Sequence, residues 1–446
     1  MYHGLHCSKT QRFNVLALHS TCKPIPGSRR SYTPAHFYQN KQLELYAARK
    51  AQRLSLRQLV FYGRSMNEER LIKSANYVRK ELPVRIAHRI RDLQALPYVV
   101  VMQEGVARVY ELYWTAFEKF RRFPQIDTLA ENEAFCIFLR ELLNEHASVI
   151  PNLSLGLALS SPYLPPDQLD AFMRRMLVSR ISRRVLVEHH VALSKSFAGQ
   201  GSDTDGEGHV GLIYTRLNVE KSVKKCADLL RGLPRVFDNE HGNVWPGVVV
   251  DGHLGTKFAY IKEHLEYIVF ELLKNSMQAT VAHHPGTSSP PSIRVTIVAG
   301  ADEICIRISD QGGGLLTPQI KNPLDLFSFS SIRNATRIEQ QRLGTLRKAS
   351  AQPGGVNATI SEQVNRWQQQ RQPISTTVPD TSKNQSDPEL EAGVAHHPKL
   401  GIGLPMCNIF ARYFGGSLEP VSLDGWGTDV YLRLPRLGTN LEGIEV

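Results

Sequence analysis

The first half of the chain has the hydrophobic pattern of long amphipathic helices. Apolar residues recur at spacings of three and four within 99–122, 132–150 and 168–195, which is the periodicity of helices that bury one face. The segments between them carry prolines that we expect in loops, namely Pro124, Pro151, Pro162, Pro165 and Pro166. No strand pattern interrupts this half, and we predict an antiparallel helical bundle over 43–198.

The pattern changes after a polar, glycine-rich link at 199–209, which marks a domain boundary near residue 205. The sequence then predicts helices over 218–231, 262–280 and 404–414, and strands over 248–250, 293–298, 304–308 and 429–434. Most of these strands have no crossover helix between them, which favours an α/β sandwich over a doubly wound sheet. The predicted fold class is therefore α+β: an antiparallel four-helix bundle, a sandwich domain over 210–437, and a tail at 438–446.

One segment inside the sandwich domain, at about 338–398, has a different composition. It is rich in Gln and Pro, and Trp367 is its one aromatic residue. A segment with so little apolar surface cannot form a core of its own. We predict that it is disordered, or that it orders on ligand binding.

The overall composition excludes several classes of protein. The chain has 446 residues, of which 42% are hydrophobic, enough for two or three domains. Its apolar stretches are too short to cross a bilayer, and its six Cys lack C-x-x-C spacing. We therefore predict no membrane span, no disulfide framework and no zinc site.

The positive charge is concentrated at the start of the chain. The net charge is +11, and no Asp or Glu precedes Glu44. An acid-free start with Arg, Ser and His between apolar residues is typical of a mitochondrial transit peptide, which we predict over 1–35. A disordered basic tail is the alternative. The charge of the remaining chain is too small to indicate a nucleic-acid partner.

The first of three candidate motifs lies on the predicted helix over 262–280. Glu271 and Asn275 are four residues apart and therefore share one helical face. A carboxylate beside a carboxamide can act as a base and as an oxygen ligand for magnesium. A solvated polar face is the alternative for this pair, and the neighbouring Lys274 is either a phosphate contact or a solvated lysine.

The second motif, Asp310-Gln-Gly312-Gly313-Gly314, directly follows a predicted strand. An Asp at a strand end can accept the exocyclic amine of a purine, and glycines let the backbone turn sharply or approach a base. Glycine-rich turns follow strands in many proteins, so this motif alone is not specific.

The third motif, Gly401-Ile402-Gly403-Leu404, opens the predicted helix over 404–414. Amides at a helix N-terminus can bind phosphate oxygens, and the helix dipole favours the negative charge. An ordinary loop before a helix is the alternative.

Taken in order, the three motifs resemble the N-box and the two glycine boxes of the ATP-binding fold shared by DNA gyrase B, Hsp90, MutL and histidine kinases. The polar segment at about 338–398 takes the place of the ATP lid. The flanking sequences at 271–280, 306–314 and 427–434 resemble the mitochondrial 2-oxoacid dehydrogenase kinases, which include the pyruvate and branched-chain enzymes. The resemblance covers about 45–437, implies a Bergerat-type kinase domain, and is closest to a fungal-like member because the lid is long.

This resemblance implies a mitochondrial matrix enzyme, a protein serine kinase that phosphorylates and inactivates the decarboxylase subunit of a 2-oxoacid dehydrogenase complex. Pyruvate dehydrogenase is the expected complex, and the branched-chain complex is the alternative. The implied cofactors are ATP and Mg²⁺. The implied partners are the decarboxylase subunit, the lipoyl domain of the acyltransferase core, which would dock on the bundle, and a second copy of the chain in a homodimer.

The resemblance also assigns roles to individual residues. Glu271 is the implied catalytic residue, and Asn275 the implied Mg²⁺ ligand. The implied ATP-binding residues are Lys274, Asn275, Gln278, Asp310, Gly312, Gly314, Ser330, Ser331, Gly401, Ile402, Gly403, Leu404 and Thr428. One departure concerns Tyr267, which stands where some members of the family carry a His, four residues before the Glu.

Two other functions are compatible with the sequence. A histidine autokinase could use His146 as its phosphoacceptor, although a structural role is the more common one for such a His. A nucleotide-gated binding module would bind ATP without transferring phosphate, which the Glu271 and Asn275 pair argues against. Ordinary eukaryotic protein kinases and P-loop enzymes are excluded, because their motifs do not occur in the chain.

Overall fold

A computed structural model describes residues 40–160, 163–199, 206–232, 245–315, 323–330, 402–438 and 440–444. The predicted transit peptide at 1–35 and the predicted lid at about 338–398 lie outside these described residues. Helices come first and a mixture of strands and helices follows, so the predicted α+β class is confirmed. Among the described residues, none of the helices has the length and apolarity needed to cross a bilayer.

The described part of the first half is helical. Its helices are α1 (Lys41–Ala47), α2 (Leu56–Gly63), α3 (Glu68–Gln94), α4 (Tyr98–Val101), α5 (Glu104–Arg122), α6 (Leu129–Glu145), α7 (Val149–Leu159) and α8 (Pro166–Phe197). Helix α3 contacts α5, α6 and α8, while α5 also contacts α7. Large side chains such as Tyr113, Phe117 and Phe135 are fully buried between these helices, and their removal from water is the main force that holds the helices together.

Two predicted helices are interrupted. The helix predicted over 99–122 breaks between Val101 and Glu104, and the one predicted over 132–150 ends at Glu145, before a short 3₁₀ turn at His146–Ser148. Apolar periodicity continues through both breaks, which is why the sequence pattern missed them. The predictions that Pro151 and Pro166 lie in loops are also wrong. Pro151 occupies the first turn of α7 and Pro166 is the first residue of α8, where a missing N–H costs no hydrogen bond.

Two sheets form the second half of the described chain. Its strands are β1 (His209–Val210), β2 (Ile213–Asn218), β3 (Val248–Gly252), β4 (Lys257–Ile261), β5 (Ile293–Ala299), β6 (Glu303–Ser309), β7 (Ser417–Leu423) and β8 (Gly427–Pro435). One sheet has the order β1-β2-β4 and the other β3-β5-β6-β8-β7. Only β3 and β5 of these paired strands run parallel, as expected when few crossover helices are present. Strands β1, β2, β4 and β7 were not predicted.

Three helices cover one face of the larger sheet: α9 (Val219–Arg231), α10 (Lys262–His283) and α11 (Gly403–Tyr413). Helix α9 contacts β3, α10 contacts β5 and β6, and α11 contacts β7 and β8. Along β6 the residues Ile304, Ile306 and Ile308 are fully buried, and those between them are partly exposed. This alternation fixes which face of the sheet meets the helices.

A buried cluster of charges joins the C-terminal segment to the first helices. Arg85 of α3 forms ion pairs with Glu81, at 3.0 Å, and with Glu442, at 2.7 Å. The Arg85 guanidinium also donates to the hydroxyl of Ser182 on α8, and the Tyr413 hydroxyl at the end of α11 donates to Glu442 at 2.5 Å. The cluster therefore ties α3, α8, α11 and the C-terminal segment together.

Candidate active site

Glu271 lies in the middle of α10 and is buried, with 5% of its surface exposed. The Nζ atom of Lys274 lies 2.7 Å from Oε1 and 2.6 Å from Oε2 of this carboxylate. One turn earlier, Tyr267 is also buried, and burial, followed by the neighbouring Glu271 charge, raises the pKa of its hydroxyl. A solvated polar face is therefore excluded for Glu271, and the partly buried Lys274 is paired with that carboxylate.

Asn275 and Gln278 continue the same side of α10. Both are half-buried, and they follow Glu271 and Lys274 by one helical turn each. The structure therefore places four predicted site residues on one stripe of this helix. Two half-buried carboxamides therefore share a helical face with the Glu271–Lys274 ion pair.

Asp310 follows the end of β6 and connects the first glycine box to β8. Its Oδ1 atom accepts the N–H of Gly312, at 3.0 Å, and the N–H of Thr428, at 3.1 Å. The Asp310 N–H in turn donates to the Thr428 carbonyl at 3.0 Å. Burial raises the pKa of the Asp310 carboxyl, and hydrogen bonds from Gly312, the Ser276 hydroxyl and Thr428 oppose that shift.

Three predicted site residues, Asp310, Gly312 and Thr428, are thus brought together, although Thr428 is far from the others in the chain. The fourth contributor, Ser276, is buried on α10 and was missed. Ser276 lies next to Asn275 inside the N-box, but nothing in the sequence marks its hydroxyl as a partner for Asp310. Only the packing of α10 against the end of β6 reveals this role.

The first glycine box lies directly against α10. A Cβ atom on Gly312 would come within 2.9 Å of the backbone carbon of Ala279, so a larger residue would push the loop away from the helix. Gly314 has a φ of +79°, a backbone conformation that residues other than glycine rarely adopt. Both glycines therefore have a structural reason to be there.

The second glycine box meets the N-box. Gly403 is the first residue of α11, and a Cβ atom there would come within 3.2 Å of the Glu271 carboxyl carbon. Ile402, which precedes the helix, is buried, and Leu404 is half-buried. Gly401 and Ser331 lie outside the described residues. The structure therefore brings the N-terminus of α11 directly onto the Glu271 carboxylate.

Ser330 belongs to a separate cluster beside α8. Its N–H donates to Oδ1 of Asp170 at 3.2 Å, and the neighbouring Ser328 hydroxyl donates to Oδ2 at 2.6 Å. The short 3₁₀ helix Pro323–Phe327 that precedes them contacts α11. Asp170 on α8 therefore fixes the stretch that leads toward the predicted lid.

His146, the candidate phosphoacceptor, is held inside the first helical region. Its Nε2 atom lies 3.2 Å from the Leu112 carbonyl oxygen, and its ring stacks on Tyr113 with centroids 5.6 Å apart. Burial, and then the charge of Arg183, lowers the pKa of His146 to about 3. These contacts favour a structural role.

The site so assembled consists of a buried carboxylate of α10 against the N-terminus of α11, a second carboxylate at a strand end, and the glycine-rich turn that follows that strand. Similar proteins identify the chemistry. Residues 53–214 match the family described as mitochondrial branched-chain alpha-ketoacid dehydrogenase kinase. The chain is 30% identical to [pyruvate dehydrogenase (acetyl-transferring)] kinase 2, mitochondrial, of Saccharomyces cerevisiae, over 94% of this chain and 89% of that protein.

Two further relatives carry the same activity in their names. The mitochondrial pyruvate dehydrogenase kinase of Arabidopsis thaliana is 27% identical over 87% of this chain and 92% of its own length. Isozyme 4 of Mus musculus is 26% identical over 90% and 84%, respectively. The chain is therefore a protein kinase. It belongs to the mitochondrial 2-oxoacid dehydrogenase kinase family, as the sequences at 271–280, 306–314 and 427–434 predicted.

Proposed function

We propose that this chain is a mitochondrial protein serine kinase that uses ATP to phosphorylate, and thereby inactivate, the decarboxylase subunit of the pyruvate dehydrogenase complex. The relatives that span most of the chain are named pyruvate dehydrogenase kinases. The match to the branched-chain kinase family covers residues 53–214, which extend from just before α2 to the start of β2. The full-length similarity therefore supports pyruvate dehydrogenase over the branched-chain complex.

The contact between Glu271 and Gly403 is the observation that carries this proposal. It brings the carboxylate proposed as the base to the first turn of α11, where free amides can bind phosphate oxygens. A kinase needs a base within reach of the phosphoryl group that its hydroxyl substrate will attack. Residues far apart in the chain meet here in an arrangement that suits this need.

The other proposed roles follow from the same geometry. Glu271 orients the substrate hydroxyl and takes its proton as the oxygen attacks. Asp310 accepts the amine of adenine, since its carboxylate is held in place by Gly312, Thr428 and Ser276. Asp310 therefore recognises the adenine base. Gly403 and the residues beside it bind phosphate through the backbone, and Gln278, Ser330 and Ser331 complete the proposed nucleotide site.

Asn275 is the proposed ligand for Mg²⁺. Magnesium keeps most of its waters and takes further oxygens from phosphate, so one protein oxygen can suffice. The half-buried amide of Asn275, one turn after Glu271 on the side of α10 that meets α11, fits this requirement. When bound there, the metal would neutralise charge on the transferring phosphate.

The proposed domain organisation assigns 43–198 to a four-helix bundle that docks the lipoyl domain, and 210–437 to a Bergerat-type kinase domain with a lid at about 338–398. The mutual contacts of α3, α5, α6 and α8 support the first assignment, and the helices on one face of a mostly antiparallel sheet support the second. The tail is 438–446. We further propose cleavage of 1–35 on import into the matrix.

A homodimer is also part of the proposal. Strand β7 lies at the edge of the larger sheet and exposes Val421 and Leu423, while Trp426 is exposed in the turn that follows. Apolar side chains at a sheet edge are a common element of subunit interfaces.

A phosphorylation assay tests the proposed function. The purified decarboxylase subunits of the pyruvate and branched-chain complexes are each incubated with the kinase and labelled ATP. We expect acid-stable phosphate on Ser of the pyruvate subunit, and a loss of complex activity in parallel. Labelling of the branched-chain subunit alone would reverse the assignment, whereas acid-labile phosphate on the kinase itself would indicate a histidine autokinase.

A further inference from the structure

The ion pair between Lys274 and Glu271 has a specific geometry. The Lys274 ammonium lies 2.7 Å from one carboxylate oxygen and 2.6 Å from the other, and the two side chains are 18% and 7% exposed. An ammonium group has three protons, so two of them can point at Glu271. The Lys73–Glu69 pair on α3 is 68% and 71% exposed, so water screens it far more strongly.

The same carboxylate is also bounded by α11. A Cβ atom on Gly403 would meet Oε2 and the carboxyl carbon of Glu271. Tyr267 and Cys407, both buried, interact electrostatically with Glu271. Rotation of the carboxylate is therefore limited both by Lys274 and by the start of α11.

We propose that Lys274 is a positioning residue for Glu271, which holds the carboxylate in the orientation that accepts the proton of the substrate hydroxyl. This inference rests on the proposed function, because it takes Glu271 as the base. A base that is fixed at the correct angle loses less entropy on reaching the transition state than one that rotates freely. A lysine that bound phosphate alone would strengthen ATP binding, whereas a positioning lysine raises the rate of transfer from bound ATP.

Three variants distinguish a positioning lysine from a phosphate ligand. Lys274→Met removes the charge, and Lys274→Arg keeps two donors for the carboxylate. Lys73→Met is the matched control, because it removes the lysine of an exposed ion pair. Calorimetric titration measures the Kd of ATP-Mg, and single-turnover phosphorylation at saturating ATP measures transfer. For Lys274→Met we expect transfer to fall at least about tenfold while the Kd rises less than about threefold. Lys274→Arg should recover most of the rate, and Lys73→Met should match the wild type.

The comparison of the two quantities decides the outcome. If the Kd of Lys274→Met rises by a larger factor than its rate falls, Lys274 is a phosphate ligand and the proposal is overturned. A rate for Lys274→Arg as low as that of Lys274→Met also overturns it. Lys274→Gln, which retains a polar side chain, provides the same comparison if the methionine variant lowers the melting temperature. Failure of the proposed function itself gives a different result, because wild-type protein would then transfer no phosphate to either decarboxylase subunit.

Discussion

Two buried ion pairs in this molecule are built in different ways. Arg85 connects to Glu81 within α3 and to Glu442 at the C-terminal end, and its side chain is 1% exposed. Lys274 and Glu271 are three residues apart on one helix, and the lysine keeps some contact with solvent. The first cluster joins distant parts of the chain, while the second is local and faces a glycine box.

The Arg85 cluster stabilises the fold, whereas the Glu271 pair belongs to the proposed active site. In the Arg85 cluster further donors and acceptors are supplied by the protein: Gln52 offers its carbonyl, and the Leu54 N–H and Tyr413 hydroxyl donate to Glu442. Such a network holds its members in one arrangement. In the Glu271 pair, by contrast, the carboxylate sits against the first residue of α11, where a substrate can approach it.

The largest expected effect comes from breaking the Arg85 cluster. Arg85→Leu leaves the carboxylates of Glu81 and Glu442 buried without their cation, which should lower the free energy of unfolding by about 3–5 kcal/mol. Arg91→Leu on the same helix is the control, because Arg91 is 54% exposed and its ion pair with Glu44 is a surface one. Denaturant unfolding measures both variants. Equal stability of the two would contradict a structural role for the cluster.

The next effect concerns catalysis. Glu271→Gln keeps the size of the side chain and removes the carboxylate that we propose as the base, so turnover should fall roughly a hundred-fold while ATP affinity stays within a few-fold. Glu266→Gln is a matched control, since Glu266 is a buried carboxylate of the same helix that pairs with Lys225 at 2.8 Å. Single-turnover phosphorylation distinguishes them. Near-full turnover of Glu271→Gln would remove this residue from the mechanism.

A smaller effect is expected for the proposed metal ligand. Asn275→Ala should weaken binding of ATP-Mg by about tenfold, because Asn275 would hold the metal that binds together with the nucleotide, and it should raise the Mg²⁺ concentration needed for half-maximal activity. Binding of ATP in the presence of a chelator should change much less. An equal loss of affinity with and without Mg²⁺ would assign Asn275 to the nucleotide rather than to the metal.

The smallest effect is a pH dependence in the first helical region. Burial lowers the pKa of His146 from 6.5 to about 3, so folding requires the neutral ring. Its contribution to stability is present above pH 6.5 and is lost as the pH falls toward 3. Between pH 7 and pH 6 the wild type should lose about 0.7 kcal/mol of stability through this residue, and His146→Gln should lose correspondingly less. An identical pH dependence would show that His146 is accessible to protons when folded.

The sequence predicted the two-part α+β order, the helix that carries Glu271, and the placement of Asp310 after a strand and of Gly403 near the start of a helix, because each rests on local spacing. It missed contacts between distant residues: the Arg85 cluster with Glu442, the Ser276 hydroxyl beside Asp310, and the meeting of Gly403 with Glu271. The helix breaks near Met102 and His146 were missed for another reason, since apolar periodicity persists across them. The role of Lys274 could not be decided, because spacing cannot distinguish an ion pair from a solvated lysine.

A crystal structure of this kinase with a non-hydrolysable ATP analogue and Mg²⁺ tests the proposed nucleotide site most directly. We expect the terminal phosphate between Glu271 and the amides at the start of α11, adenine hydrogen-bonded to Asp310, and the metal on Asn275. A nucleotide bound elsewhere, or one whose terminal phosphate lies beyond reach of Glu271, would contradict it.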